Sequence, residues 1–265
     1  MLLSSVLTPR DSSNESPCHT DSTMAYEPPF PRHADNDPPR GFPEPPQRRG
    51  MQVFGFPLRI DPFFFVTAWL IGGRQEPLWM LVWVVVVLTG VLAHELGHAF
   101  AGRRLGLEPW IRLMAFGGMT GWMQPRRLTA GQQILISAAG PAVGISIGGA
   151  VLVAGLAGAF AEASPAVLRV LDFVLWVNLG WGVLNLLPIL PLDGGHILAS
   201  VAGLVAGRNG RIAARLFSIV LTVVIGLWAL FAGEWWIAIL GVVLTMANVQ
   251  GLRAEMAAAA TPTIL

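Results

Sequence analysis

The chain has one cysteine, no lysine and few charges of either sign. Cys18 alone can form no internal disulfide and no thiolate cluster, so any metal site must be built from His, Asp or Glu. All 17 basic residues are arginines, the formal net charge is +1, and the arginines are separated by long apolar runs. A basic patch able to neutralise nucleic-acid phosphates is therefore excluded, and nucleic acid is not an expected partner. Charged residues make up 12% of the chain, against roughly 25% in an ordinary soluble domain. With 54% of residues hydrophobic, this is the composition of a membrane protein whose solvent is the lipid bilayer.

The first fifty residues differ from the rest. They hold ten of the twenty prolines, in stretches such as "EPPFPRHADNDPPRGFPEPPQRRG". Such a segment cannot bury enough apolar surface to offset its ordering entropy and reads as a disordered Pro-rich tail, residues 1–50. "MLLSSVL" is too short for a secretory signal and lacks its basic leader. His19 and His33, both in this tail, are poor ligand candidates. Met24 and Met51 are alternative starts for translation. A domain is expected over residues 51–256, followed by a short tail, 257–265.

A spanning helix needs about 20 apolar residues, and six candidates lie near 60–73, 77–101, 131–160, 167–190, 212–232 and 235–252. Short loops rich in arginine stay in the cytoplasm. Arg48, Arg49 and Arg59 precede the first span, and Arg103, Arg104, Arg112, Arg126 and Arg127 follow the second. Arg208, Arg211 and Arg215 precede the fifth, and Arg253 follows the sixth. The alternate loops hold only Arg74 and Arg169. Six spans with both termini cytoplasmic produce that pattern, and the second then runs toward the cytoplasm.

That second span ends in "LTGVLAHELGHAFAG". Residues four apart share a helix face, so His94 and His98 can point at one ion while Glu95 reaches a water beside it. This is the H-E-x-x-H arrangement, with two neutral imidazoles for Zn²⁺ and a carboxylate as general base. A histidine pair bonding to neighbouring helices is the plainer explanation. Against it, a glutamate at helix depth costs about 2.5–3.5 kcal/mol on insertion scales and usually marks a functional cavity.

Catalytic zinc takes three protein ligands and leaves a fourth place open. Beyond His98 the acidic residues are Glu108, Glu162, Asp172, Asp193, Glu234 and Glu255, and the one further histidine is His196. Most of the acidic residues fall in loops or at outer ends. Asp193 lies in "NLLPILPLDGGHIL", where Pro188 and Pro191 break the fourth span and Gly194 and Gly195 follow the carboxylate. Broken helix at membrane depth survives only where it lines a cavity or packs on protein, which would carry Asp193 inward. A simple turn, with aspartate bonding its own backbone, also accounts for "PLDGG".

"HELGH" followed by "NLLPILPLDGG" resembles the site-2 protease family of intramembrane zinc metalloproteases. The likeness continues through "RRLGLEPWIRLMAFGGMTGW", similar to the family's glycine-bearing β-segment, and "SAAGPAVG", similar to its A-G-P motif. It covers roughly residues 51–205. The resemblance implies an all-α polytopic fold of about six transmembrane helices, with a small reentrant β-segment after the HExxH helix. It implies zinc held by His94, His98 and Asp193, Glu95 as general base, and transmembrane helices of other proteins as substrates. Asn185 aligns with a family asparagine and is expected to bind substrate backbone or stabilise the oxyanion. Gly144 stands where many relatives carry Asn, so no polar role is assigned there. The chain resembles a minimal branch without a PDZ insertion or a nucleotide-sensing C-terminal domain.

Within "IRLMAFGGMTGWM" the alternation and Gly117, Gly118 and Gly121 suggest a short hairpin with a free edge, to which an unwound substrate could add as a strand. Asn178, seven residues before Asn185, shares a regular helix face with it and either contacts substrate or bridges helices. His196 packs between helices or tunes the site from behind Asp193. The expected location is a bacterial cytoplasmic membrane, with cleavage near the cytoplasmic side. Two other classes compete: a catalytically silent membrane chaperone, which would not need Glu95, and an intramembrane metal transporter, which would show flux.

Overall fold

The computed structural model describes residues 50–260, except 74, 125 and 127. The Pro-rich tail with His19 and His33, the residues Arg48, Arg49, Arg74 and Arg127, and the last five residues lie outside the described residues. Among the described residues five helices are long and apolar enough to cross a membrane. Large side chains such as Leu81, Leu156, Val205 and Phe231 are exposed on them, as surfaces bathed in lipid tails require. The chain is a mostly helical membrane protein with one small sheet.

Helix α2, Pro77–Arg104, rises about 42 Å at 1.5 Å per residue. Pro77 occupies its first turn and Arg103 and Arg104 its last, where their charge suits the helix dipole. The stretch expected to form the first span, 60–73, holds only the short helix α1, Pro62–Ile71, which follows strand β2, Phe56–Ile60. Ten helical residues rise only about 15 Å, half the hydrocarbon thickness of about 30 Å, so α1 does not span alone. Strand β2 supplies roughly 17 Å more. Phe56, Leu58 and Phe64 pack in one cluster with Val91 and Ala99 of α2, and Trp83 Nε1 donates to the Ala68 carbonyl at 2.8 Å. Strand and short helix thus pack back along α2.

The expected hairpin is present as β3, Pro109–Met114, and β4, Gly117–Trp122, but it belongs to a four-stranded sheet in the order β1-β2-β3-β4, with β1 at Gln52–Val53. β2 and β3 run parallel, and their register sets Arg59 opposite Arg112. Like charges so placed repel. Asp61 resolves the conflict: Arg112 Nε and Nη2 lie 2.9 and 2.8 Å from its Oδ2, and Arg59 Nε lies 3.3 Å from its Oδ1.

Helix α3, Ala130–Leu156, opens on a capping box between Thr129 and Gln132 and carries Pro141 in its interior. The fourth span begins as α4, Pro165–Leu175, continues through a π-helical turn, Trp176–Gly180, and ends as α5, Trp181–Asn185. The fifth span begins earlier than hydropathy suggests. Helix α6, Asp193–Phe231, starts directly after the broken segment and bends where Ala206 and Gly207 leave helical geometry, Gly207 at φ 54°. Its first arm, 193–205, and its second, 208–231, fold back on each other. Gly210 lies so close to the Ala202 carbonyl that a side chain would overlap it. Helix α7, Trp235–Ala260, then pairs with the second arm.

Candidate metal centre

Helix α2 contributes three polar side chains within five residues, and all three are buried: His94, Glu95 and His98 are 5%, 4% and 7% exposed. The His94 and His98 Nε2 atoms approach to 3.1 Å. His98 Nδ1 lies 2.7 Å from the Ile136 carbonyl of α3, a bond that places the ring proton on Nδ1 and leaves the Nε2 lone pair facing inward. That approach depends on α3 being bare at one point. A Cβ on Gly140 would overlap the His98 ring and lie 2.8 Å from His94 Nε2. Gly97 meets the Ala139 backbone just as closely, so the two helices seat glycine against backbone at the level of the histidines.

Asp193 arrives from across the fold. Residues 186–192 have no regular structure, as Pro188 and Pro191 require, and Asp193 opens α6 in the first-turn position that suits a carboxylate. Its Oδ2 lies 3.1 Å from His94 Nε2 and its Oδ1 3.3 Å from His98 Nε2. One donor atom from each of His94, His98 and Asp193 falls within 4.8 Å of the others. Two imidazole nitrogens and one carboxylate oxygen converging in a buried space form a donor set that suits zinc with three protein ligands. The chain offers no thiolate there to favour a softer metal. These three residues can hold a metal ion.

Glu95 is held from the sheet. Thr120 Oγ1 lies 2.7 Å from Glu95 Oε2 and 3.1 Å from the Glu95 carbonyl. On the same face of β4, two residues back, a Cβ on Gly118 would overlap the Glu95 carboxylate. The second glycine expected to matter, Gly117, has φ 125° and packs toward Trp181 rather than Glu95. Among the described residues β4 is the last strand of the sheet, so its outer edge is unpaired.

The amides sit apart from the ligand cluster in their recorded bonds. Asn178 lies in the π-helical turn, 5% exposed; its Nδ2 donates to the Val174 carbonyl at 2.9 Å, and its Oδ1 is buried without a partner. Asn185 Nδ2 donates to the Trp181 carbonyl at 3.0 Å. The π-helical turn that holds Asn178 changes the residue count per turn, so the seven-residue spacing does not by itself fix a shared face. His196 Nδ1 is buried and unpartnered, one turn beyond Asp193. Thr120 and Gly140 had no role assigned in the sequence. The alternation of Gly118 and Thr120 along a strand was the available signal for Thr120, and the bare glycine before Pro141 for Gly140.

Residues 146–231, which include Asp193 but not the two histidines, match Peptidase family M50. The putative zinc metalloprotease sll0528 of Synechocystis sp. is 26% identical over 174 residues, 60% of this chain and 45% of that protein. The putative zinc metalloprotease Rip3 of Mycobacterium tuberculosis is 30% identical over 191 residues, 66% of this chain and 45% of that protein. The chain thus spans about half the length of the curated relatives it matches. In fold it is similar to the site-2 protease from Methanocaldococcus jannaschii, with a TM-score of 0.52 at 22% identity, covering 81% of this chain and 96% of that one. The resemblance carried by the sequence motifs is borne out.

Proposed function

We propose that this site-2-protease-like chain is a zinc-dependent endopeptidase of the bacterial cytoplasmic membrane, hydrolysing peptide bonds in transmembrane segments of other proteins near the cytoplasmic side. The observation that carries the reading is the convergence of His94, His98 and Asp193 in one buried cluster with Glu95 beside it. His94, His98 and Asp193 would hold the ion. When bound, zinc supplies a Lewis acid that polarises a carbonyl oxygen and acidifies a neighbouring water.

The chain's own residues do the rest. Glu95 takes the proton of the attacking water and returns it to the departing amide nitrogen. Thr120 holds one carboxylate oxygen of Glu95, so the other remains available for that proton. A helical substrate must unwind to expose its carbonyl, and the outer edge of β4 offers backbone groups with which the unwound strand can pair. Gly118 keeps β4 against Glu95, so a paired strand runs beside the base, and Gly117 lets the hairpin turn. Asn185 and Asn178 are assigned to the substrate backbone or the oxyanion. The asymmetry of arginine between alternate loops supports cytoplasmic termini, and the HELGH motif then opens toward the cytoplasm, the source of water.

The deciding experiment compares purified wild type with Glu95→Gln on a panel of single-span membrane proteins, with zinc content measured for both. Cleavage by wild type alone, at equal zinc content, is expected. Equal cleavage by both would refute the assigned base, and zinc flux into proteoliposomes without cleavage would favour a transporter.

A further inference from the structure

Among the described residues the last two long helical segments, the second arm of α6 and helix α7, contribute no ligand to the His-His-Asp cluster, yet both reach the broken segment that delivers Asp193. Leu190, three residues before Asp193, has both backbone polar groups captured by them. Its N–H donates to Ser218 Oγ of the second arm at 3.1 Å, and its carbonyl accepts from Asn248 Nδ2 of α7. Ser218 and Asn248 are each 0% exposed. Both groups are committed: Ser218 Oγ donates to the Ala214 carbonyl at 2.8 Å, which leaves its oxygen to accept from Leu190, and Asn248 Nδ2 places its other hydrogen on the Leu244 carbonyl at 2.8 Å.

Leu190 packs against the helical turn that Asp193 opens. Side chains on Gly194 or Gly195 would overlap the Leu186 carbonyl and the Leu190 nitrogen respectively. The loop 186–190 therefore lies directly on the first turn of α6. The gripping helices are also tied to each other. Thr245 Oγ1 donates to Thr222 Oγ1 at 2.8 Å, Arg215 Nη2 meets Glu255 Oε1 at 3.0 Å, and Gly251 leaves the Arg215 guanidinium the space it fills. A hydrogen bond left unmade in a buried, apolar setting costs its full desolvation penalty, so an unheld Leu190 would pull the loop toward other partners.

We infer that Ser218 and Asn248 are positioning residues for the third metal ligand, and that the α6–α7 hairpin serves as a clamp holding Asp193 at the two histidines. This rests on reading His94, His98 and Asp193 as the metal site. Supporting residues behind a metal ligand typically cost about 10–100-fold in metal affinity when removed.

The test uses the full chain in detergent, with Ser218→Ala, Asn248→Leu, which keeps the branched side-chain skeleton without the amide, and a control, Ser146→Ala, whose hydroxyl bonds only its own helix on an exposed face. Zinc affinity is measured by chelator competition, and the absorption spectrum is recorded with Co²⁺ in place of zinc. Ser218→Ala and Asn248→Leu are expected to bind zinc about 10–100-fold more weakly and to shift the cobalt d–d bands, with Ser146→Ala like wild type. A residue that merely stabilised the hairpin would lower the unfolding temperature without moving those bands. Wild-type affinity and cobalt spectrum in folded Ser218→Ala overturns the inference, and that variant decides alone where Asn248→Leu does not fold. A wild-type chain that binds no zinc overturns the metal reading and this inference with it.

Discussion

His94 and Asp193 stand 99 residues apart in the chain and 3.1 Å apart in space. Neither belongs to a charged surface, and nothing in the apolar helices around them would draw a histidine and a carboxylate together inside a membrane at no gain. Burial of such groups is costly unless they are paired or hold a cation.

Removing the carboxylate therefore removes affinity for the ion. Asp193→Ala is expected to weaken zinc binding by at least the roughly 10–100-fold that loss of a supporting partner costs, while the helices stay folded. Zinc per chain after dialysis against a weak chelator checks it; wild-type retention would place the third ligand elsewhere.

Thr120 acts on the base and not on the ion. Thr120→Val keeps the β-branched shape but loses the hydroxyl that lies 2.7 Å from Glu95 Oε2. Cleavage is expected to fall about 10-fold, a part of the roughly 10²–10⁴ that general acid–base catalysis supplies, with zinc content unchanged. Thr120→Ser should recover most of the rate. Equal rates for Thr120→Val and wild type would remove Thr120 from the account.

At Gly140 the helix must be bare. Gly140→Ala drives a methyl group into the His98 and His94 rings and is expected to abolish zinc binding. Gly149→Ala, on the same helix with open space around it, should bind zinc normally and gain the small helix preference of alanine over glycine. Matched zinc titrations of the two variants distinguish a site effect from a helix effect.

Asp61 is expected to matter for stability alone. Asp61→Ala leaves Arg59 and Arg112 facing each other across β2 and β3 and removes charge-assisted hydrogen bonds worth about 1.5–3 kcal/mol. A lowered unfolding midpoint is expected, partly restored in the double variant Asp61→Ala/Arg112→Leu. An unchanged midpoint would mean that the ion pair is not what reconciles the register.

The legible parts of the fold were those that depend on neighbours in sequence. The spacing of His94, Glu95 and His98 sets their common face whatever surrounds them, and uncharged runs such as 77–93 have no aqueous alternative. The prolines at 188 and 191 forbid a continuous helix. What escaped are features made by distant contact. Strand β2 contains both Pro57 and Arg59 and carries no strand signal of its own; it is a strand because β3, some fifty residues later, pairs with it. The π-helical turn at Trp176–Gly180 leaves no mark in hydropathy. The arm 193–205 begins with Asp-Gly-Gly, a poor helix start on propensity, and is helical because those glycines let it pack against the loop before it.

The amino-acid order alone determined that this chain lives in a membrane, that His94 and His98 share a helix face beside Glu95, and that the helix before Asp193 breaks, because hydropathy, helical periodicity and proline geometry are local properties. Tertiary structure decided which carboxylate meets the histidines, how Thr120 and Gly118 hold the base, and that Ser218 and Asn248 hold the loop behind Asp193. Those outcomes depend on where a Cβ is missing and where a buried N–H finds its acceptor, and such pairings exist only after the helices have packed.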